Sequence, residues 1–236
     1  MRVLTIANQK GGISKTTTAF NLAAGLRREG KRVLLIDLDP QGDLSFEAQA
    51  VAGPSIAEVV TGEKSLGEAI QKTATGFDII PSGFSLIGTA NKDFDFDFSQ
   101  LAETYDFVII DCPPNQSGNT LAAIYAASVV IIPATADMFS YRSVKAMSAS
   151  IHDLGGKPSR IVITRYTPRM VISKQVSSDM DSLADQLGVK VYKTKIRECV
   201  AVRESQLARM PIFDYDGKSA AAEDYANLTQ EILDEE

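Results

Sequence analysis

The sequence predicts an α/β protein with a doubly wound, mostly parallel sheet flanked by helices. Short runs of apolar, β-branched residues alternate with helix-length segments along nearly the whole chain. The runs are uniformly apolar, as in strands that are covered by helices on both faces of a sheet. The first run leads through a glycine-rich turn into a helix-forming segment, as in a right-handed βαβ unit.

Six runs are predicted to be strands, and a seventh is weaker. The predicted strands are 2–7, 32–37, 77–80, 107–111, 129–133 and 160–164, with the weaker one near 189–192. The predicted helices are 15–29, 117–127, 140–154, 172–187, 199–208 and 218–233. The segment 41–100 is less regular. Its acidic–aromatic run at 93–98 favours an edge strand or a loop with the aromatic rings inward, and a partner-binding edge is the alternative.

Length and composition limit the classes of protein that fit. A chain of 236 residues suits one large domain, so we expect a single domain over 1–236. Its net charge of −6 gives no general reason to expect nucleic acid or anionic lipid as a partner, although a local patch can bind either. Cys112 and Cys199 form no disulfide framework, which is typical of a reducing cytoplasm. The sole histidine, His152, lies late in a predicted helix, where a surface position is expected.

Residues 9–18, Gln-Lys-Gly-Gly-Ile-Ser-Lys-Thr-Thr-Thr, form the turn between the first strand and the first helix. Backbone amides converge in such a turn, and the helix N-terminus adds the positive end of its dipole, so a phosphate group is favoured there. Lys15 is placed to reach the β- and γ-phosphates of a nucleotide, and the Thr16 hydroxyl to ligate Mg²⁺. A second lysine, Lys10, distinguishes this turn from a generic phosphate-binding loop.

Carboxylates follow two of the predicted strands. Asp37 ends the second strand, Asp39 follows it, and Asp111 ends the strand at 107–111. Ligands of a doubly wound sheet lie at the carboxyl ends of its strands, so we expect these side chains to face the same crevice as Lys15. One or two carboxylates with phosphates usually hold Mg²⁺, and a further carboxylate can orient the attacking water. The sequence therefore predicts a Mg²⁺-ATP site.

Together these motifs resemble the ParA/MinD family of deviant Walker-type P-loop ATPases, and within it the ParA-type DNA-partition proteins. Residues 10–17 resemble the family's deviant Walker A motif, residues 37–42 its second acidic motif and residues 111–114 its Walker B motif. The stretches 131–133, 196–205 and 211–228 are also ParA-like, so the resemblance covers residues 1–233.

The resemblance implies roles for individual residues. Lys10 is implied to reach across a dimer interface to the partner's ATP, where it neutralises developing phosphate charge. Asp39 is implied to position the hydrolytic water, and Lys15 to hold the β- and γ-phosphates. The nucleotide loop would consist of Gly11, Gly12, Ile13, Ser14, Lys15, Thr16 and Thr17; the Mg²⁺ ligands would be Thr16, Asp37 and Asp111, the carboxylates through water. Adenine would lie between loops at about 164–170 and 196–204.

Ser14 departs from the family pattern, which has glycine immediately before the loop lysine. A serine in the left-handed conformation costs on the order of 1 kcal/mol. Three consequences are open: the loop tolerates the strain, the hydroxyl contributes a contact, or nucleotide binding is weakened.

The implied function is a partition ATPase that forms an ATP-dependent homodimer, binds nonspecific DNA and is released when a centromere-binding, ParB-like protein stimulates hydrolysis. The basic character of residues 157–174 and 190–209 favours DNA binding, although a salt-bridged surface has the same composition. The expected DNA contacts are Lys190, Lys193, Lys195, Arg197, Arg203 and Arg209. The alternatives are an ATP-dependent metabolic enzyme or a protein-positioning ATPase on the same scaffold. The acidic end at 226–236 disfavours membrane binding, so we expect a cytoplasmic protein that joins the nucleoid when ATP is bound.

Overall fold

The computed structural model describes residues 1–89 and 94–235. Eight strands form one sheet in the order β3-β4-β2-β5-β1-β6-β7-β8, in which every neighbouring pair except β3–β4 is parallel. This confirms the predicted fold class. The strands are β1 (Arg2–Ile6), β2 (Val33–Asp37), β3 (Gln71–Lys72), β4 (Asp78–Ile80), β5 (Phe107–Asp111), β6 (Val129–Thr135), β7 (Ser159–Tyr166) and β8 (Lys190–Arg197).

Helices cover both faces of the sheet. They are α1 (Lys15–Arg28), α2 (Asp43–Glu47), α3 (Ile56–Thr61), α4 (Leu66–Ala69), α5 (Gly118–Ala126), α6 (Met138–Asp153), α7 (Val171–Leu187), α8 (Val200–Ala208), α9 (Ile212–Asp216) and α10 (Ala220–Leu233). Two short 3-10 helices span Phe84–Thr89 and Ser99–Leu101. No helix within the described ranges is long and apolar enough to cross a membrane.

Two hydrophobic cores explain why the strands are uniformly apolar. Leu34 and Ile36 of β2 pack into the core beneath α5, α6 and α7, whereas Leu35 packs into the core beneath α1 and α10. Because alternate residues of a strand point to opposite faces, a strand that is covered twice needs apolar residues at every position.

The irregular segment contains short elements that the sequence pattern does not predict. Helices α3 and α4 each begin at a capping box, formed by Ser55 with Glu58 and by Ser65 with Glu68. Residues 94–98 form a loop in which Phe98 is buried and Phe96 stacks on it. This agrees with the predicted loop whose aromatic rings face inward. Position 93 lies outside the described residues. The alternative, a partner-binding edge, stays a prediction.

The register of the central strands gathers the functional side chains at one edge. Ile6, the last residue of β1, lies opposite Asp111 of β5, and Asp111 lies opposite Asp37 of β2. The loop that follows β1 therefore begins beside both carboxylates.

Candidate nucleotide site

The loop between β1 and α1 contains two residues in the left-handed conformation. Gly12 has a φ of 70°, and Ser14 has a φ of 69°. Ser14 precedes α1; its carbonyl accepts a hydrogen bond from the Thr18 amide at 2.9 Å, but its side chain makes no capping bond. The serine therefore adopts the strained conformation expected from its position, at a cost on the order of 1 kcal/mol.

Lys15 curls back over this loop. Its Nζ donates a hydrogen bond to the Lys10 carbonyl oxygen at 3.1 Å, and the side chain is largely buried. Burial lowers the pKa of Lys15, while the nearby Asp111 and Asp39 oppose that shift. The ammonium is thus held inside the turn, where a phosphate group would replace the carbonyl as its partner.

Asp111 and Thr16 meet at the start of α1. Thr16 Oγ1 donates to Asp111 Oδ2 at 2.7 Å, whereas Asp111 Oδ1 is buried and has no hydrogen-bond partner among the described residues. Burial, reinforced by Asp37, raises the pKa of Asp111 well above its usual range. A buried carboxylate oxygen without a partner costs free energy that a cation recovers, so this pair of side chains fits a Mg²⁺ ion.

Asp37 is held in place by the segment that follows it. It accepts hydrogen bonds from the Ser45 amide at 2.8 Å, the Ser45 hydroxyl at 2.6 Å and the Asp39 amide at 3.1 Å. Burial raises the pKa of Asp37 to about 6, although these hydrogen bonds oppose the shift. Asp39 itself is half-buried, and the Ser82 hydroxyl donates to its carbonyl oxygen at 2.6 Å. The structure thus brings all three predicted carboxylates to the sheet edge that carries Lys15.

Lys10 forms an ion pair that sequence reasoning missed. Its Nζ lies 2.7 Å from Asp137 Oδ2, with the Thr135 and Ser140 hydroxyls at 3.2 and 3.3 Å. Asp137 also caps α6 through the Phe139 and Ser140 amides. Burial tends to raise the pKa of Asp137, but the hydrogen bonds from Lys10 and Thr135 outweigh it and hold the pKa at about 2. Asp137 follows the end of β6, just as Asp37 and Asp111 end their strands. This position in the sequence could have predicted that Asp137 lies at the same edge of the sheet.

A cleft of about 390 Å³ extends from the phosphate loop towards the ends of β7 and β8. Its size suits a small-molecule ligand. The lining unites the loop with both segments that the resemblance implied for adenine. It consists of Gly12, Ser14, Thr17, Arg165, Ile196, Arg197, Glu198, Cys199, Val202, Arg203, Gln206 and Tyr225.

Gln206 links this cleft to α2, and sequence reasoning missed this contact as well. Its Nε2 donates to Thr17 Oγ1 at 3.2 Å and to Glu47 Oε1 at 2.9 Å. Burial raises the pKa of Glu47 to about 7, although the hydrogen bond from Gln206 opposes the shift. One side chain thus contacts both the helix of the phosphate loop and the segment that follows Asp39.

The six basic residues expected at DNA lie in different surroundings. Arg197 lines the cleft and pairs with Asp224 at 2.7 Å and Glu223 at 2.6 Å, while Arg203 pairs with Glu198 at 3.1 Å. The Lys195 ammonium lies 5.1 Å from the Tyr166 ring centroid, and the Arg209 guanidinium 3.7 Å from that of Phe46. Lys190 and Lys193 are exposed on the edge strand β8. Their role at DNA stays a prediction.

Comparisons with known proteins agree with the geometry. A family model described as an AAA domain matches residues 1–160. The chromosome partitioning protein ParA of Caulobacter vibrioides is 33% identical over 100% of this chain and 95% of that protein. Apo McdA from Cyanothece is similar in fold, with a TM-score of 0.85 over 98% of this chain and 99% of that one at 22% identity.

A further solved structure holds a nucleotide. Cobyrinic acid a,c-diamide synthase from Mycobacterium smegmatis, with bound ADP and magnesium, has a TM-score of 0.81 and 29% identity over 99% of this chain and 94% of that one. The sheet order, the loop with two lysines, the carboxylates at the strand ends and these relatives lead to one conclusion. The chain belongs to the ParA/MinD family of deviant Walker-type P-loop ATPases.

Proposed function

We propose that this protein is a Mg²⁺-dependent ATPase that ATP assembles into a homodimer with affinity for nonspecific DNA. The observation that carries the proposal is the second lysine, Lys10. Lys15 already lies inside the turn, whereas the Lys10 ammonium projects to Asp137 at the rim of the site. A phosphate loop needs one lysine for its own nucleotide. The second is therefore available to a nucleotide held by another copy of the chain.

Each side chain of the site has a task in this proposal. The amides of Gly11, Gly12, Ile13 and Ser14 cradle the phosphates, Lys15 holds the β- and γ-phosphates, and Thr17 contacts the α-phosphate. Thr16 and Asp111 hold Mg²⁺, with Asp37 acting through water. When bound, Mg²⁺ neutralises phosphate charge. Asp39 positions the attacking water, and its backbone is fixed by bonds to Asp37 and Ser82.

The proposed switch is an exchange of partners by Lys10. In the monomer Lys10 pairs with Asp137 of its own chain. In the ATP dimer it moves to the phosphates across the interface, where it stabilises negative charge as an arginine finger does. ATP thus favours the dimer and ADP the monomer, because only ATP presents the γ-phosphate charge to Lys10.

The DNA surface is proposed to lie on the basic carboxyl-terminal half. Five of the six basic side chains are exposed or partly exposed to solvent: Lys190, Lys193, Lys195, Arg203 and Arg209. Arg197 is assigned to the wall of the cleft, since two carboxylates hold its guanidinium. A centromere-binding, ParB-like protein is the proposed stimulator of hydrolysis. The cytoplasm, with ATP-dependent association with the nucleoid, is the proposed location.

The test is DNA binding with and without ATP over a series of salt concentrations. We expect affinity for random-sequence duplex DNA only with ATP, falling steeply as salt rises because counterions are released. The variant Lys193→Ala should bind more weakly and with a smaller salt dependence, whereas Lys218→Ala, the same change on the exposed loop before α10, serves as the matched control. Binding that ignores ATP or salt would overturn the proposal.

The similarity to cobyrinic acid a,c-diamide synthase favours a second candidate, an ATP-dependent metabolic enzyme. Such an enzyme would hydrolyse ATP in response to a small-molecule substrate. Stimulation of turnover by DNA together with a partner protein distinguishes the partition ATPase from it.

A further inference from the structure

Gln206 of α8 bridges two buried side chains at the wall of the nucleotide cleft. Thr17 is 7% and Glu47 6% exposed, while Gln206 itself is half-buried. The Gln206 Nε2 atom lies 3.2 Å from Thr17 Oγ1 and 2.9 Å from Glu47 Oε1. A primary amide has two N–H donors, so these two contacts use both of them. The two acceptors therefore set the orientation of the amide.

The contact with Gln206 leaves the hydroxyl proton of Thr17 unused. Thr17 Oγ1 accepts from Gln206, and no hydrogen bond that its O–H group donates is found among the described residues. Thr17 also lines the cleft. In the proposed function this hydroxyl contacts the α-phosphate, whose charged oxygens are acceptors. A hydroxyl whose oxygen already accepts a bond keeps its proton for such an acceptor.

Glu47 opposes the reverse orientation of the amide. If the amide turned over, the Gln206 carbonyl oxygen would accept the Thr17 proton and leave none for a phosphate. The same oxygen would also face the Glu47 carboxylate, which is an acceptor as well, so that orientation is repulsive. Within the described part of the chain, Gln206 is the one side chain that is hydrogen-bonded to Glu47. The carboxylate is thus placed to hold the amide nitrogen towards Thr17.

Glu47 is costly at this position. Burial raises its pKa to about 7, and Asp43 and Asp37 add to the shift, while the bond from Gln206 opposes it. A neutral side chain of similar size would avoid the cost of burying this charge. A carboxyl group that is kept at such a cost beside a ligand cleft is typical of a functional site.

We infer that Gln206 is a positioning residue of the nucleotide site: held by Glu47, it directs the Thr17 hydroxyl proton towards the α-phosphate of the bound nucleotide. The inference rests on the proposed contact between Thr17 and that phosphate. It goes further by naming the side chains that orient the contact. Because ATP and ADP both carry an α-phosphate, the role concerns both nucleotides.

A double-mutant cycle on ADP affinity tests this role. Gln206→Met keeps the length of the side chain and loses the amide, and Thr17→Val keeps the shape and loses the hydroxyl. Calorimetric titration with ADP and Mg²⁺ at pH 8, above the pKa of Glu47, gives the affinities. We expect Gln206→Met to weaken binding about three- to tenfold and Thr17→Val at least as much. The double variant should bind like Thr17→Val, because no hydroxyl is left to orient.

Melting temperatures separate this role from a purely structural one. Gln206→Met removes the partner of Glu47, so it should lower the melting temperature with or without the Thr17 hydroxyl. Its effect on ADP affinity should appear only with the hydroxyl, and Thr17→Ser should restore both the affinity and its dependence on Gln206. Gln175→Met is the matched control, because exposed Gln175 on α7 also donates to a carboxylate, that of Asp179 at 2.8 Å. It should bind ADP like the wild type.

Two results would overturn the inference while the nucleotide site stands. One is an equal loss of ADP affinity from Gln206→Met in the wild type and in Thr17→Val, since Gln206 would then act independently of the hydroxyl. The other is an unchanged affinity in Gln206→Met. A wild type that binds no ADP would overturn the nucleotide site together with the inference, so the two failures are distinguishable.

Discussion

The Lys10 ammonium lies 2.7 Å from the Asp137 carboxylate, so each chain holds its own second lysine in an ion pair. The proposed dimerisation through Lys10 has to break this pair. We therefore expect Asp137→Asn to lower the ATP concentration needed for half-maximal dimerisation. The side chains are 26% and 41% exposed, and a pair of this kind contributes about 0.2–1 kcal/mol, or about 1.5- to 5-fold.

Analytical ultracentrifugation over an ATP series measures this shift. Asparagine keeps the capping bonds to the α6 amides, whereas Asp137→Ala would also remove the cap and cost about 1 kcal/mol of stability. Asp181→Asn, on the exposed face of α7, is the matched charge control. A higher ATP requirement in Asp137→Asn would mean that Asp137 supports the dimer instead of competing with it.

The contact between Thr16 and Asp111 predicts how the protein responds to loss of magnesium. Chelation with EDTA should weaken ADP binding to the wild type about tenfold or more, which is about 1.4 kcal/mol. Asp111→Asn should show weak ADP binding that EDTA barely changes. Without nucleotide, this variant should be as stable as the wild type or more stable, because it replaces a buried carboxyl group whose pKa is raised. Calorimetric titration and thermal melts measure both quantities.

Asp43→Asn, at an exposed carboxylate of α2, is the control for that experiment. An Asp111→Asn variant whose ADP binding still depends strongly on magnesium would remove Asp111 from the set of ligands.

Glu47 predicts a dependence of stability on pH. Its pKa is raised from 4.5 to about 7 in the folded state, so the folded protein binds more protons than the unfolded chain between these values. Stability from this group is therefore present below about pH 4.5 and is lost as the pH rises through about 7. Glu47→Gln should increase the free energy of unfolding by about 1–3 kcal/mol at pH 8 and change it little at pH 5.

Denaturant unfolding at both pH values, for each variant against the wild type, gives these differences. The exposed Glu103→Gln should show no such dependence. An equal effect of Glu47→Gln at pH 5 and pH 8 would show that Glu47 titrates normally.

Replacement of the strained Ser14 by glycine is predicted to change stability and ATP affinity only slightly. Its left-handed conformation costs about 1 kcal/mol, but glycine gains about as much entropy in the unfolded chain. We expect Ser14→Gly to leave the free energy of unfolding within about 0.5 kcal/mol, and we predict ATP affinity and hydrolysis close to those of the wild type. Ser14→Ala keeps the strain without the hydroxyl. A tenfold loss of ATP affinity in both variants would show that the hydroxyl contacts the nucleotide.

The sequence predicted the long elements well, because their signals are local. All seven predicted strands are present, and the bounds of α1, α7 and α10 agree within two residues. Strand β8 extends to Arg197, beyond the predicted 192, because it is an edge strand in which only Tyr192 and Ile196 are buried. Short helices such as α3 escaped prediction because six residues are too few to show a helical period, although the Ser55–Glu58 capping box was readable.

The phosphate loop and its carboxylates were predictable because each motif is contiguous in the chain. The side chains that contact these loop and carboxylate residues could not be predicted from the sequence. Asp137 meets Lys10, and Gln206 meets Glu47 and Thr17, only because distant strands and helices end at the same edge. The expected single domain over 1–236 and the DNA contacts stay predictions.

The central claim is that ATP controls assembly through Lys10. The most direct measurement is the molar mass in solution, by light scattering, without nucleotide, with ADP and with ATP. The wild type should be monomeric in the first two conditions and dimeric with ATP. Lys10→Ala should stay monomeric in all three, and Asp39→Ala should remain dimeric long after the wild type has hydrolysed its ATP. A Lys10→Ala variant that dimerises with ATP would contradict the account.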